Sequence, residues 1–206
     1  MRGFAFADRP DVSVTHDTTL HVGGRELRLI YPGPAHTPGD LAVWLPAERV
    51  LFAGDLLVED GGTMVVDGNS RVLLAALDRL EALGARVAVP GHGRVARGPR
   101  TPPSALIDTT RCYVERMRAT MRRAVADGTA MSRVLARMPP ADSGHPVSRA
   151  SRDRRNAVRI YLEMEREMMQ LDGAESTAAA GTVTGTAADT DTHTSVGAAP
   201  TTRCAP

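Results

Sequence analysis

Three short segments constrain this chain more than anything else in it. They are Pro34-Ala35-His36-Thr37-Pro38-Gly39-Asp40, Leu51-Phe52-Ala53-Gly54-Asp55 and Val89-Pro90-Gly91-His92-Gly93, and each follows an apolar run that reads as a β-strand. Two histidines and an aspartate therefore sit where strands are expected to end. Loops at strand ends carry chemistry in sheet-based folds, because the scaffold fixes the ends while the loop bends around a ligand. Glycine or proline beside each His or Asp lets the backbone turn sharply and aim the side chain inward. The positions are separated by 19 and 37 residues (55 minus 36, 92 minus 55). Two imidazoles and a carboxylate converging from three loops suit zinc, and also iron or manganese.

The rest of the sequence reads as a mixed α/β (α+β) scaffold around these segments. Residues 12 to 30 alternate as a hairpin or meander, with Val12-Ser13-Val14, Leu20-His21-Val22 and Glu26 to Ile30 as strands and Gly23-Gly24 as the turn. His16 and His21 fall there and read as exposed or cross-strand histidines. The runs 41–45 and 50–53 are continuously apolar, which predicts burial on both faces. Residues 56–69 read as a loop on the substrate side, and Ser70 as the cap of a helix with Leu73, Leu77 and Leu80 on one face. A strand at 87–89 completes a βαβ unit, so part of the sheet is expected to be parallel. Helices follow from Thr101-Pro102 to Gly128, then to Met138, then from about Ser148 to Leu171. Their apolar stripes read as core and their arginines as a solvated face. From Gly173 the chain is rich in Thr, Ala and Gly with almost nothing large and apolar, the composition of a disordered tail, and His193 within it has no assigned role. The expected organisation is a sheet-bearing segment over 1–100, a helical extension over 101–172 and a tail over 173–206.

Composition excludes several partners. A net charge of +1 gives no electrostatic reason to expect nucleic acid or an anionic membrane. No run approaches the length of a membrane span, and the N-terminus meets charge too early for a signal-peptide core. Cys112 lies in a helical pattern and Cys204 in the tail, so the expectation is no disulfide between them and a reducing, cytoplasmic compartment.

His36-Thr37-Pro38-Gly39-Asp40, Leu51-Phe52-Ala53-Gly54-Asp55 and Pro90-Gly91-His92-Gly93 resemble the last three metal motifs of the metallo-β-lactamase superfamily, in its glyoxalase-II-like and related hydrolase branches. Arg155-Asn156-Ala157-Val158-Arg159-Ile160-Tyr161-Leu162-Glu163 is similar to the terminal helix of one bacterial branch. The resemblance covers roughly residues 12 to 171. It implies part of an αββα sandwich in which His36 completes a first zinc site, Asp55 bridges two metals as the candidate catalytic residue, and His92 binds the second. Thr37 and Asp40 would orient the His36 loop, or serve only as a turn in which Asp40 caps its own backbone. Family members use the metal pair to lower the pKa of a bridging water that attacks a carbonyl or phosphoryl centre.

The family's H-x-H-x-D-H motif has no counterpart in this sequence. The resemblance therefore implies the C-terminal portion of the fold, with the first, N-terminal half missing through an incorrect start, a split gene or real truncation, and with weak, at most mononuclear metal binding by this chain. An acid at position 55 is the pattern of the thioesterase, lactonase and related hydrolases, whereas zinc β-lactamases carry a cysteine or serine there. There is no room for the domain that nucleic-acid-cleaving members insert. The expected function is a metal-dependent hydrolase of a small ester, thioester or lactone, weighed against two other readings. One is a catalytically dead half-domain that binds a partner or is vestigial; the other is a plain α/β domain without metal. Missing half of a sandwich should leave a sheet face uncovered along 41–45 and 50–53, so aggregation or homo-oligomerisation is expected.

Overall fold

The computed structural model describes residues 12–141 and 148–180, the last ten of these by backbone alone, together with Cys204. The chain divides into two units, Met1–Arg111 and Cys112–Pro206, with the division inside one helix.

The first unit is built on a six-stranded sheet: β1 (Thr18–Val22), β2 (Arg25–Ile30), β3 (Ala42–Leu45), β4 (Val50–Val58), β5 (Val87–His92) and β6 (Ala96–Arg97). The strands lie side by side in sequence order. Every neighbouring pair is antiparallel except β4 and β5, which are parallel and joined through helix α1 (Ser70–Ala82) as the expected βαβ unit. Gly23 and Gly24 both take positive φ, 57° and 76°, which is what a two-residue hairpin turn requires and what side chains resist. The sheet begins at Thr18, so Val12-Ser13-Val14 alternates without a strand to pair with and is not one. β6 is only two residues long and carries no periodic signal, which is why it is absent from the sequence reading.

Register explains the burial. Trp44 lies opposite Leu51 and Leu51 opposite Ala88, and all three are buried. Val43, Phe52 and Val89 form the next cross-strand row on the opposite face, where Phe52 is 44% exposed. The expectation that 41–45 and 50–53 are buried on both faces is thus corrected: one face is core and the other is not. Beneath the core face Leu73, Leu77 and Leu80 of α1 are almost wholly buried, each contributing about 1.5–3 kcal/mol. Asn69, not Ser70, is the N-cap of α1: its Oδ1 accepts from the N–H groups of Arg71 and Val72. Ser70 is already helical and buried. β4 also runs on to Val58, so the loop expected from residue 56 starts at Glu59.

Helix α2 (Pro103–Ala126) enters the second unit, which continues with α3 (Met131–Ala136) and α4 (Arg149–Ala180). Within that unit Val114, Met121, Ala157, Ile160 and Met164 are core. The arginines are not all a solvated face. Arg118 is 7% exposed and held by Glu163 at 3.6 Å and Glu167 at 2.9 Å. In the first unit Arg111 is similarly buried and paired with Asp78 and Glu81. A long guanidinium side chain tolerates burial when carboxylates meet it, and those partners come from other helices, out of reach of a helical-wheel argument.

Two expectations about the C-terminal region are overturned. α4 continues through Ala180 rather than stopping at Leu171, and the run Ala178-Ala179-Ala180 has the highest helix propensity available. Cys112 and Cys204 are disulfide-bonded with Cα atoms 5.4 Å apart, across 92 residues of sequence. Proximity of that kind is set by tertiary structure alone, and it removes the argument for a reducing compartment. Residues 181–203 of the expected tail, including His193, lie outside the described residues. Among the described residues no helix is long and apolar enough to cross a membrane.

Candidate metal centre

His36 stands in the loop between β2 and β3, Asp55 within β4 and His92 at the last position of β5. Asp55 is not at a strand end. β4 passes through it, and the turning is done by an irregularity at Gly54, where the parallel register with β5 shifts on both sides. Gly54 has φ 53°, a left-handed backbone conformation that interrupts the regular strand immediately before Asp55.

The structure brings the three side chains together. His36 Nε2 lies 3.4 Å from Asp55 Oδ2, and His92 Nε2 lies 3.5 Å from Asp55 Oδ1. Each histidine thus faces its own carboxylate oxygen. His36 is mostly buried, Asp55 half-buried and His92 75% exposed, so the group opens to solvent on the His92 side.

His36 is fixed at two points. Its Nδ1 donates to the Met64 carbonyl at 2.5 Å, an oxygen that can only accept, so Nδ1 carries a proton and in the neutral ring Nε2 is the unprotonated nitrogen, facing Asp55. Its backbone N–H donates to Asp40 Oδ2 at 2.5 Å. The Asp40 carboxylate also accepts from the Thr37 N–H at 3.0 Å and the Thr37 hydroxyl at 2.7 Å. Thr37 and Asp40 therefore clamp the loop backbone, and Asp40 reaches His36 through its N–H rather than its ring.

Asp55 and His92 have supports that sequence reasoning missed. The Thr63 hydroxyl donates to the Asp55 carbonyl. The Glu59 N–H donates to the His92 carbonyl at 3.1 Å, and the Glu59 carboxylate accepts from the Arg94 side chain at 2.5 Å and backbone N–H at 3.0 Å. Those Arg94 hydrogen bonds, the side-chain one first, hold the Glu59 carboxyl below its usual range. Glu59, Thr63 and Met64 all lie in the segment that follows β4. Gly61-Gly62 and Asp67-Gly68-Asn69 are the sequence signals of a loop there, and nothing in them marks which carbonyl would take a histidine proton. His16 precedes β1 and His21 lies within it, opposite Glu26 in the hairpin, and neither takes part.

In the neutral ring, a lone pair and a carboxylate oxygen facing one another at 3.4 Å repel unless a proton or a metal cation lies between them. Zinc bonds of about 2.0–2.2 Å at tetrahedral angles place neighbouring donor atoms roughly 3.3–3.5 Å apart. The donor spacing fits a metal. As they stand, however, no three His, Cys, Asp or Glu side chains among the described residues form a cluster able to hold an ion. The histidines are split between the two oxygens of one carboxylate.

Residues 1–92 match the family model described as metallo-beta-lactamase superfamily. It is similar to the metallo-beta-lactamase type 2 of Bacteroides fragilis, 33% identical over 89 residues that cover 41% of this chain and 36% of the relative. It is also similar to the hydroxyacylglutathione hydrolase of Methylococcus capsulatus, 30% identical over 79 residues covering 38% of this chain and 30% of the relative. The chain thus spans about a third of the length of these curated relatives. The fold is shared with a metallo-beta-lactamase family protein of Thermus thermophilus, at a TM-score of 0.53 and 24% identity, covering 81% of this chain and 51% of that one.

Proposed function

We propose that this chain supplies the His36, Asp55 and His92 part of a dinuclear metal centre in a hydrolase acting on a small ester, thioester or lactone. The observation that carries the reading is the split carboxylate, with one Asp55 oxygen turned to each histidine Nε2 at 3.4 and 3.5 Å. His36 and Asp55 would share one ion, and His92 and Asp55 the other, with zinc the best fit to this donor set and iron or manganese also compatible. When bound, such a pair supplies Lewis acidity and a lowered pKa for water. The chain's own residues present the donors. Met64 fixes the His36 tautomer, Asp40 holds the His36 backbone, and Glu59 holds the backbone of His92.

Support for a hydrolase comes from the superfamily and from a relative named as a hydroxyacylglutathione hydrolase. The acid at position 55 favours ester, thioester or lactone over β-lactam. Catalytic zinc takes three protein ligands, and three ligands in all cannot serve two ions, so this chain by itself binds metal weakly, as one ion, and does not turn over efficiently. The test is metal content after dialysis against zinc, for the full chain and for His36→Ala, Asp55→Ala and His92→Ala. The expected result is at most one weakly held ion, lost in Asp55→Ala. Two tightly held ions, or uptake indifferent to all three substitutions, overturns the assignment.

A second reading, a non-catalytic half-domain that binds a partner, draws on the sheet face that carries Phe52, 44% exposed. Mixing the chain with a polypeptide bearing H-x-H-x-D-H separates the two, because only the first reading gains tight metal binding.

A further inference from the structure

The second unit contains a cavity of about 660 Å³ that shares no residue with the metal centre. Its lining comes from one face of α2, from α3 and the residues just after it, and from the first turns of α4. Met117, Met121, Val134 and Met138 supply apolar lining, and methionine adapts its shape to what it meets. Arg116, Arg123 and Arg137 also line it. Arg116 and Arg123 are seven positions apart on α2 and so share a helix face.

These three guanidinium groups differ from others in the same unit. Arg118, Arg122, Arg149, Arg152 and Arg159 each stand within 4.0 Å of a carboxylate. Among the described residues, the side chains of Arg116, Arg123 and Arg137 have neither an ion-pair nor a hydrogen-bond partner. Two acids also line the cavity. Asp153 is engaged by the Tyr113 hydroxyl at 2.8 Å and by Arg149 and Arg152, and Asp127 is exposed. Positive charge therefore prevails around a concave apolar surface, where low-dielectric walls strengthen its pull on an anion.

We propose that this cavity binds an amphipathic monoanion, an alkyl or aryl carboxylate. Its apolar part lies on the methionines and its carboxylate meets the unpaired arginines. The volume falls within the roughly 300–1,000 Å³ usual for small-molecule sites. Arg116, Arg123 and Arg137 are exposed, so a purely apolar ligand would leave their charge to water and gain nothing from it, and a phosphate alone would leave the methionine surface unused. Guanidinium forks match a carboxylate in two parallel hydrogen bonds.

The experiment is calorimetric titration of the full chain with dodecanoate, with dodecan-1-ol and dodecyltrimethylammonium as matched probes. Expected are saturable one-to-one binding of dodecanoate and affinity at least about tenfold weaker for the alcohol and the cation, the discrimination worth a charge-assisted pair. The double substitution R123E/R137E, checked for an unchanged circular-dichroism spectrum, should weaken dodecanoate about tenfold or more and leave the alcohol unaffected. Ala124→Trp, which fills the cavity, should abolish binding of both. Phe52→Asp, on the exposed sheet face of the first unit, should leave the affinity for dodecanoate unchanged. Equal binding of alcohol and carboxylate, indifference to R123E/R137E, loss of binding in Phe52→Asp, or no saturation below about 1 mM overturns the proposal. Should Ala124→Trp fail to fold, R123E/R137E decides alone.

Discussion

Gly91 stands so close to Asp55 that a Cβ on it would fall 1.8 Å from Asp55 Oδ1 and 2.8 Å from the Asp55 backbone nitrogen. The absence of a side chain at 91 is therefore what lets the end of β5 bring His92 up to the carboxylate. Gly91→Ala should destabilise the first unit by about 1–3 kcal/mol through overpacking and lower zinc uptake together with it. Gly39→Ala, where nothing lies within 4 Å of the added methyl, is the control and should stay within about 0.5 kcal/mol of the parent. Urea unfolding and metal content after dialysis measure both. Equal behaviour of the two variants would mean that close approach at Gly91 is not needed.

Asp40 receives three hydrogen bonds, two of them from backbone N–H groups, at a site only 9% exposed. Asp40→Ala leaves those donors without their acceptor and should cost roughly 1–3 kcal/mol. Because the His36 loop loosens, zinc affinity should fall about 10- to 100-fold. Asp40→Asn keeps one acceptor oxygen and should lie between the two. Unchanged metal binding in Asp40→Ala would reduce the residue to a local turn.

The Met64 carbonyl dictates the protonation of His36. Long-range proton–nitrogen correlation spectra of the metal-free chain above the histidine titration should show His36 as the Nδ1–H tautomer, with Nε2 unprotonated. A dominant Nε2–H form would place the lone pair on the wrong side for the metal reading.

In the second unit, burial pushes the Glu167 carboxyl up, but hydrogen bonds and charge from Arg118 and Arg122 outweigh it and leave the pKa below 4.5. A depressed carboxylate contributes stability that is full above the unfolded value and lost as pH falls through the folded one. Melting temperature should thus fall as pH drops below about 4.5, and Glu167→Gln should flatten part of that fall. Arg118→Met, which strips Glu163 and Glu167 of a nearly buried partner, should cost about 3 kcal/mol at pH 7, the low end for a broken buried pair because Arg159 still meets Glu163 at 3.3 Å. Parallel pH profiles for parent and Glu167→Gln would refute the linkage.

Phe52 is 44% exposed on a sheet face that also carries Val43 and Val89. Exposed apolar sheet surface of this kind drives association, so light scattering should show oligomers of the parent chain and a shift toward monomer in Phe52→Asp. A monodisperse parent monomer would show that this face needs no cover.

The sequence by itself determined the local features. Alternation and Gly23-Gly24 specified the first hairpin, the leucine stripe of α1 specified its buried face, and the glycines beside Asp55 and His92 and three positions either side of His36 marked three places where the backbone turns. These are short-range signals, carried by residues within a few positions of one another. Tertiary structure decided everything that depends on distant partners. The left-handed backbone at Gly54 interrupts β4 immediately before Asp55, the Met64 carbonyl meets a ring 28 positions earlier in the chain, and one face of β3 and β4 is buried while the other is open. Buried Arg118 finds its carboxylates on α4, and Cys112 finds Cys204 across 92 residues. Propensity and periodicity contain no information about such pairs, because side chains and carbonyls far apart in sequence become neighbours only when the sheet and helices pack.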